Sequence, residues 1–96
     1  MAKGYWIAFI DVEDVENYRN YLPLSSAAVA DFGGTYIVRG GASEQVEGAG
    51  RARHAVIEFD SYEIALACYN SPQYQAAAKI RQASAATDIV VVEGTA

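Results

Sequence analysis

Cysteine, histidine and basic residues are scarce in this sequence of 96 residues. A single cysteine, Cys68, excludes an internal disulfide, and a single histidine, His54, excludes a metal site built from several His or Cys ligands. No apolar run approaches the roughly 18 residues of a membrane-spanning helix, so no membrane role is expected. Only seven Lys and Arg oppose twelve Asp and Glu, and the net charge of −5 disfavours nucleic-acid binding.

Apolar residues, in contrast, make up 52% of the chain, and seven residues are tyrosines. This composition and the short length predict one packed domain over residues 1–96. The first residues lack the apolar core of a signal peptide, which favours a cytoplasmic protein.

Four segments have the β-branched and aromatic composition of strands, and turn residues bound them: residues 4–12, 35–39, 54–59 and 88–93. The first and last are apolar on both faces, which is typical of strands that are covered twice. The charged residues 43–47 suit a short edge strand or a hairpin arm.

A helical pattern follows the first strand. Asp14 is its predicted N-cap, and Pro23 predicts a kink or a restart within it. Gly33-Gly34 is expected to end the helix, because glycine adopts the left-handed conformation at low cost.

A second helical pattern follows the third strand, with Asp60 at capping-box spacing before Glu63. Ser71-Pro72 interrupts it and restarts it, with Ser71 as cap and Pro72 at the first helical position. The alanine-rich residues 75–86 are predicted to continue this helix.

The predicted order is therefore β-α-β-β-α-β, the order of the ferredoxin-like α+β fold. In that fold, two helices cover one face of a four-stranded antiparallel sheet and leave the other face open. Because the strands here are apolar on both faces, the open face should be buried against a partner. A second copy of the chain is the simplest partner, which predicts a homodimer through this face.

Several segments together resemble the DUF1330 family: Gly4-Tyr5-Trp6-Ile7, Tyr36-Ile37-Val38-Arg39-Gly40-Gly41, Val56-Ile57-Glu58-Phe59, Tyr69-Asn70-Ser71-Pro72-Gln73-Tyr74 and Val92-Glu93-Gly94. The resemblance spans almost the whole chain and implies a dimeric α/β barrel, in which two ferredoxin-like sheets pack face to face. It implies no activity, because the family brings no established catalytic residues. Monooxygenases, haem-degrading enzymes, isomerases and ligand-binding regulators share the fold, which is an analogy of fold alone.

Arg39 is the first candidate for chemistry. It ends a predicted strand just before Gly40 and Gly41, where the missing side chains let another group approach. Its guanidinium suits a bidentate clamp on a carboxylate or enolate oxygen. The alternative is a structural ion pair with Glu58 or Glu93. The remaining basic residues are assigned to termini, loops or exposed helix turns: Lys3, Arg19, Arg51, Arg53, Lys79 and Arg81.

Glu58 and His54 are two further candidates for catalysis. Glu58 lies among apolar strand residues, where a carboxylate with a raised pKa would suit a general base, or where it pairs with Arg39 or Arg53. His54 suits an acid–base group or an axial haem ligand; a solvated residue at the start of a strand is the alternative.

Aromatic residues provide the candidate lining of a ligand pocket: Trp6, Tyr18, Tyr69 and Tyr74. The tyrosine hydroxyls would meet a ligand oxygen, whereas in the alternative interpretation all four are ordinary core residues. Cys68 has no base nearby in the sequence and is expected to be buried and inert.

Two classes of function follow from these residues. The first is a small enzyme that acts on a carboxylate, enolisable or phenolic molecule by proton transfer or oxygenation, with neither a metal nor a tightly bound cofactor. The second is a non-catalytic homodimer that binds a small ligand or has a structural role.

Overall fold

The computed structural model describes residues 2–96. Strands and helices follow one another as β1 (Gly4–Val12), α1 (Val15–Asp31), β2 (Thr35–Arg39), β3 (Arg53–Phe59), α2 (Tyr62–Asn70), α3 (Pro72–Ser84) and β4 (Ala85–Glu93). The strands form one antiparallel sheet in the order β2-β3-β1-β4. The predicted fold class is confirmed, and the interrupted second helix is two helices, α2 and α3. No helix among the described residues has the length and apolarity needed to cross a membrane.

The register of the sheet places alternate residues on opposite faces. One row, Tyr36, Ile57, Trp6 and Val91, runs across the four strands beneath the helices. A neighbouring row on the opposite face consists of Val38, Val56, Ile7 and Val90, which no element of the described chain covers. This second side is called the open face, and this row across it is apolar, as the sequence predicts.

Helix α1 starts and ends where the sequence predicts. The Asp14 carboxylate accepts a hydrogen bond from the backbone N–H of Asn17 at 3.1 Å, which is N-capping geometry. The helix continues through Pro23, so the chain forms one element there. Gly33, with φ of 72°, provides the left-handed residue that ends it.

Three local predictions are wrong. Residues 43–47 form neither strand nor helix, because β2 pairs only with β3 and the segment has no strand partner. The cap of α2 is Ser61 and not Asp60, since the Ser61 hydroxyl accepts from the backbone N–H of Ile64 at 3.1 Å. Strand β4 begins at Ala85, where pairing with Val12 outweighs the helical preference of alanine.

The core lies between the sheet and the helices, with Trp6 at its centre. The Trp6 indole N–H donates to the backbone carbonyl of Ala65 at 2.9 Å, which joins β1 to α2. Its ring contacts those of Phe59, Tyr69 and Tyr74 at centroid distances of 5.3, 5.8 and 4.6 Å. Such tilted and edge-on aromatic pairs add to the free energy gained by burial.

Ser71 joins α2 to α3, because its hydroxyl accepts from the Tyr74 N–H at 3.1 Å and donates to the Cys68 carbonyl at 2.7 Å. We therefore expect Ser71→Ala to lower the free energy of unfolding by about 0.5–2 kcal/mol, measured by urea denaturation. Ser43→Ala, in the exposed loop, is the matched control and should change it by less than about 0.5 kcal/mol. Equal stability of the two variants would contradict the capping role.

Cys68 is fully buried, and burial raises the pKa of its thiol to about 12. Because the thiolate is the reactive form, we expect no reaction with a disulfide reagent in the folded protein at neutral pH. Denaturation in guanidinium should release one reactive thiol per chain, which colorimetric titration measures. Rapid labelling of the folded protein would contradict the assigned burial.

Candidate functional site

A cavity of about 30 Å³ lies between α1, α3 and the sheet. One row of the sheet beneath it consists of Arg39, Ala55, Ala8 and Ile89, and the two residues on the central strands of this row are small. The two alanines leave a hollow that the larger side chains around it do not fill. Its other lining residues are Trp6, Ile10, Tyr18, Tyr21, Leu22, Ser25, Tyr36, Arg53, Ile57 and Arg81.

Three arginines from three different elements line this cavity, and no acidic residue does. Arg39 ends β2, Arg53 begins β3 on the same face, and Arg81 comes from α3. In the part of the chain that the structure describes, the ion pairs join other residues: Lys3 with Asp60, and Arg51 with both Asp11 and Asp88. The cavity is therefore a cationic region inside an acidic protein.

Arg81 is the most buried of the three, with 5% of its surface exposed. Burial alone lowers the pKa of its guanidinium, but the hydroxyls of Tyr74 and Tyr21 more than offset that effect, so the group stays charged. Its Nε has no hydrogen-bond partner among the described residues. A buried charge without a carboxylate partner is costly, which marks Arg81 as a candidate for ligand contact.

Arg39 and Arg53 are each held by neighbours that leave their charge unpaired. Arg39 donates from Nη2 to the Ser26 hydroxyl at 2.7 Å, and its guanidinium lies 4.1 Å from the centre of the Tyr36 ring. Arg53 packs on Gly40, where a Cβ would lie 2.5 Å from Nη1. The close approach expected at Gly40 is therefore made by Arg53.

Tyrosine hydroxyls form the polar part of the roof. The hydroxyl oxygens of Tyr21 and Tyr74 lie 2.7 Å apart in a buried hydrogen bond between α1 and α3. Burial raises the pKa of Tyr74, and it also raises that of Tyr18, although Arg53 opposes the latter effect. Both phenols are therefore neutral at physiological pH and can donate hydrogen bonds.

Glu58 and His54 lie on the open face, on the other side of the sheet from the cavity. The Glu58 carboxylate accepts from the Tyr5 hydroxyl at 3.0 Å, which is the main reason why the pKa of Tyr5 is raised. The His54 ring contacts Phe9 edge-on at 5.8 Å and is half-buried, so it is not a fully solvated residue. The suggested ion pair between Arg39 and Glu58 does not form, because the two side chains lie on opposite faces of the sheet. Arg39 is on the face that the helices cover, and Glu58 is on the open face.

The structure brings together most of the residues that the sequence singles out as pocket lining. Trp6, Tyr18 and Arg39 line the cavity, and Tyr74 reaches it through its hydrogen bond to Tyr21. Tyr69 lies outside the cavity lining and contacts the Tyr74 ring in a tilted arrangement, with 5.4 Å between ring centres. Residues 2–96 contain no group of three or more His, Cys, Asp or Glu side chains that could hold a metal ion.

Arg53 and Arg81 are functional candidates that were predicted to lie in termini, loops or exposed helix turns. That prediction is wrong, because Arg53 begins β3 and Arg81 is buried on α3. Both carried a signal in the sequence. Arg53 lies two residues before Ala55, in phase with the buried face of β3. Arg81 follows Tyr74, Ala77 and Ala78 at helical spacing, on the buried stripe of α3.

Solved structures share this fold at low sequence identity. RPA0582 of Rhodopseudomonas palustris, a protein of unknown function, is 16% identical with a TM-score of 0.79, covering 99% of this chain and 84% of its own. A dimeric ferredoxin-like protein of unknown function from Jannaschia sp. CCS1 is 13% identical with a TM-score of 0.72, covering 94% and 97%. SnoaB, a cofactor-independent oxygenase from Streptomyces nogalater, is 11% identical with a TM-score of 0.66, covering 100% and 94%.

These identities establish a common fold and nothing about a common activity. No curated protein is similar enough in sequence to extend the comparison to function. The model of the family described as "Domain of unknown function (DUF1330)" matches residues 3–95, which is nearly the whole chain. The segments that resembled this family in the sequence lie within the match, and the chain belongs to the DUF1330 family.

Proposed function

We propose that this protein is a homodimer that binds a small organic anion, such as a carboxylate, enolate or phenolate, in the cavity between its helices and its sheet. The observation that carries the proposal is the set of three arginines around the cavity without an acidic residue. Arg81 carries the most weight in this set, because it is almost completely buried and a structural role alone does not explain a buried charge there.

The electrostatics of the cavity favour an anion. The whole chain has a net charge of −5, so its outer field does not attract anions and the attraction must be local. Three guanidinium groups around one small space repel one another, and burial strengthens that repulsion at Arg81, whereas Arg39 is exposed. A bound anion would replace the repulsion by attraction and would accept hydrogen bonds from the same groups.

The shape and size of the cavity restrict which part of a ligand it takes. A volume of about 30 Å³ accommodates roughly two water molecules, which is comparable to the two oxygens of a carboxylate. Apolar side chains from the sheet form the floor, whereas guanidinium and phenol groups surround the space above it. We therefore assign the anionic head group to the cavity.

The homodimer is supported by the open face. Phe9 on the central strand β1 and Val90 and Val92 on the edge strand β4 are 38%, 47% and 39% exposed on this face. Neighbouring Val38, Ile7 and Val56 continue the patch across the sheet. Monomeric proteins rarely leave such a continuous apolar surface in water. A second copy of the open face would cover it symmetrically.

An enzyme is the second candidate, and the cationic cavity favours it because it would lower the pKa of a bound phenol or enol. The resulting anion is the reactive form in proton transfer and in oxygenation. Arg39, Arg53 and Arg81 would stabilise it, although the cavity has no carboxylate or imidazole to act as base. Oxygen uptake on addition of a phenol that binds would distinguish an oxygenase from a binding protein, which consumes no oxygen.

The dimer is tested by sedimentation. We expect the wild type to sediment at micromolar concentration with about twice the 10.3 kDa mass of one chain. Val90→Asp places a charge in the middle of the open face and should give monomers. Val46→Asp, at a loop position that is 79% exposed, is the matched control and should leave the dimer intact. A folded wild-type monomer would contradict the proposed homodimer.

Anion binding is tested with benzoate and its uncharged counterpart, benzyl alcohol. Benzoate at tenfold excess over its Kd should stabilise the wild type by about 1.4 kcal/mol in thermal unfolding, and benzyl alcohol should have little effect. Arg39→Met keeps the length of the side chain and removes its charge, so the affinity for benzoate should fall by at least about tenfold.

Arg19→Met, at an exposed position of α1 outside the cavity, is the control for the loss of one positive charge. It should retain the affinity of the wild type for benzoate. Equal affinities in Arg39→Met and in the wild type would refute the assigned site.

A further inference from the structure

The three arginines of the cavity lie at different depths. Arg81 is 5% exposed and lies against the hydroxyls of Tyr21 and Tyr74. Arg53 is half-buried, and Arg39 is the exposed one among the lining residues. The cavity therefore has positive charge at two levels: inside, at Arg81, and at its outer edge, where Arg39 and Arg53 form what is called the rim below.

The two rim arginines are neighbours in the sheet. Arg39 pairs with Ala55 in the register of β2 and β3, and Arg53 lies two residues before Ala55 on the same face. Such diagonal neighbours are separated by roughly 7–8 Å, which long side chains can span. The guanidinium of Arg53 also lies against Gly40, the residue that follows Arg39. The structure thus holds two positive charges side by side, next to the short side chain of Ala55.

No carboxylate in the described part of the chain offsets this pair of charges. The ion pairs among residues 2–96 involve neither Arg39 nor Arg53, and no acidic residue lines the cavity. Ser26 and Tyr36 hold Arg39 by a hydrogen bond and a ring contact, neither of which cancels its charge. Like charges at neighbouring positions of paired strands are destabilising. The rim is therefore a second place at which an anionic group would relieve repulsion.

A ligand with a single carboxylate does not match this arrangement. Three positive charges and one carboxylate leave two positive charges uncompensated. The volume of about 30 Å³ is comparable to one carboxylate, so the space inside holds one such group. A second anionic group must then bind farther out, and the rim arginines are the lining charges that reach solvent.

We propose that the ligand is a small dicarboxylic acid, with one carboxylate inside the cavity near Arg81 and the other at the rim between Arg39 and Arg53. This inference rests on the proposed anion-binding function and narrows its ligand class. The planar fork of a guanidinium suits bidentate hydrogen bonds to a carboxylate at either level. A short apolar chain joining the two carboxylates would lie on Ala8 and Ala55, the small residues of the floor.

Malonate, succinate and glutarate are the probes, and each is compared with its own monoamide at mildly alkaline pH, where both carboxylates are ionised. An amide has the shape of a carboxylate without its charge, so the ratio of the two affinities isolates the second negative charge. We expect at least one acid of the series to bind the wild type at least about tenfold more tightly than its monoamide, measured by calorimetric titration. The two equivalent ends of an acid contribute a small statistical factor, which lies well below this ratio.

Arg53→Met removes one rim charge and keeps the length of the side chain. The affinity ratio of acid to monoamide should fall about tenfold, because the outer carboxylate loses a direct partner. Since the ratio compares two ligands on the same variant, a general loss of binding cancels. Arg53→Lys retains the charge and should retain most of the preference for the acid. Arg19→Met, outside the cavity, is the matched control and should have the ratio of the wild type.

Arg39→Met changes an exposed side chain and is the second rim variant, in case Arg53→Met does not fold. Arg39 contributes to the binding of a monocarboxylate through its charge alone and to that of a dicarboxylate also through direct contact. The variant should therefore weaken both classes of probe and should lower the same affinity ratio. A preference for the acid that survives unchanged in the rim variants would show that the rim assignment is wrong.

The remaining outcomes separate this inference from the proposed function. If every acid binds only as tightly as its monoamide, and Arg39→Met weakens both, anion binding in the cavity holds and the dicarboxylate class is wrong. If inorganic phosphate binds more tightly than every acid of the series, the arginines serve one anionic centre, and two separate carboxylate positions are refuted. If neither these probes nor benzoate bind to the wild type, the proposed anion-binding function fails, and this inference fails with it.

Discussion

The burial of Trp6 at the centre of the sheet is the interaction on which the rest of this structure depends. Its ring lies on the central strand β1, packs against Phe59 of β3 and Tyr74 of α3, and its N–H is bonded to Ala65 of α2. These contacts fix the distance of α2 and α3 from the sheet, which is the height of the helices above it. At that height the small residues Ala8 and Ala55 cannot reach the helices, and a hollow remains. The cavity is thus a consequence of how the core packs.

The exterior of the molecule is negatively charged, whereas the cavity is lined by positive charge. The exterior is acidic, and Arg51 is engaged with Asp11 and Asp88. The arginines of the cavity face phenols, a hydroxyl and apolar groups. Neutral partners can solvate a guanidinium through hydrogen bonds and ring contacts, but they do not cancel its charge. The protein therefore maintains a positive potential in a space that its own carboxylates do not reach.

The sequence predicted the elements of this fold because hydrophobic periodicity and capping are local properties. Asp14, Gly33 and Ser71 all have the predicted roles. Local patterns were misleading where strand pairing decided the secondary structure. Ala85 has a high helix propensity, but in the structure it pairs with Val12 as the first residue of β4. The candidate site was predicted only in part. Arg39 was apparent from its strand and glycines, whereas Arg53 meets it through the pairing of β2 with β3 and Arg81 through the packing of α3 on the sheet.

Gly40 combines two requirements that are usually met by different residues. Its backbone adopts φ of 66°, which favours glycine, and the guanidinium of Arg53 occupies the space that a side chain would need. A substitution there would strain the turn after β2 and displace a charged group of the cavity at the same time. The turn and the cavity consequently cannot evolve independently at this position. A homologue that changes residue 40 should also have changed the residue at position 53.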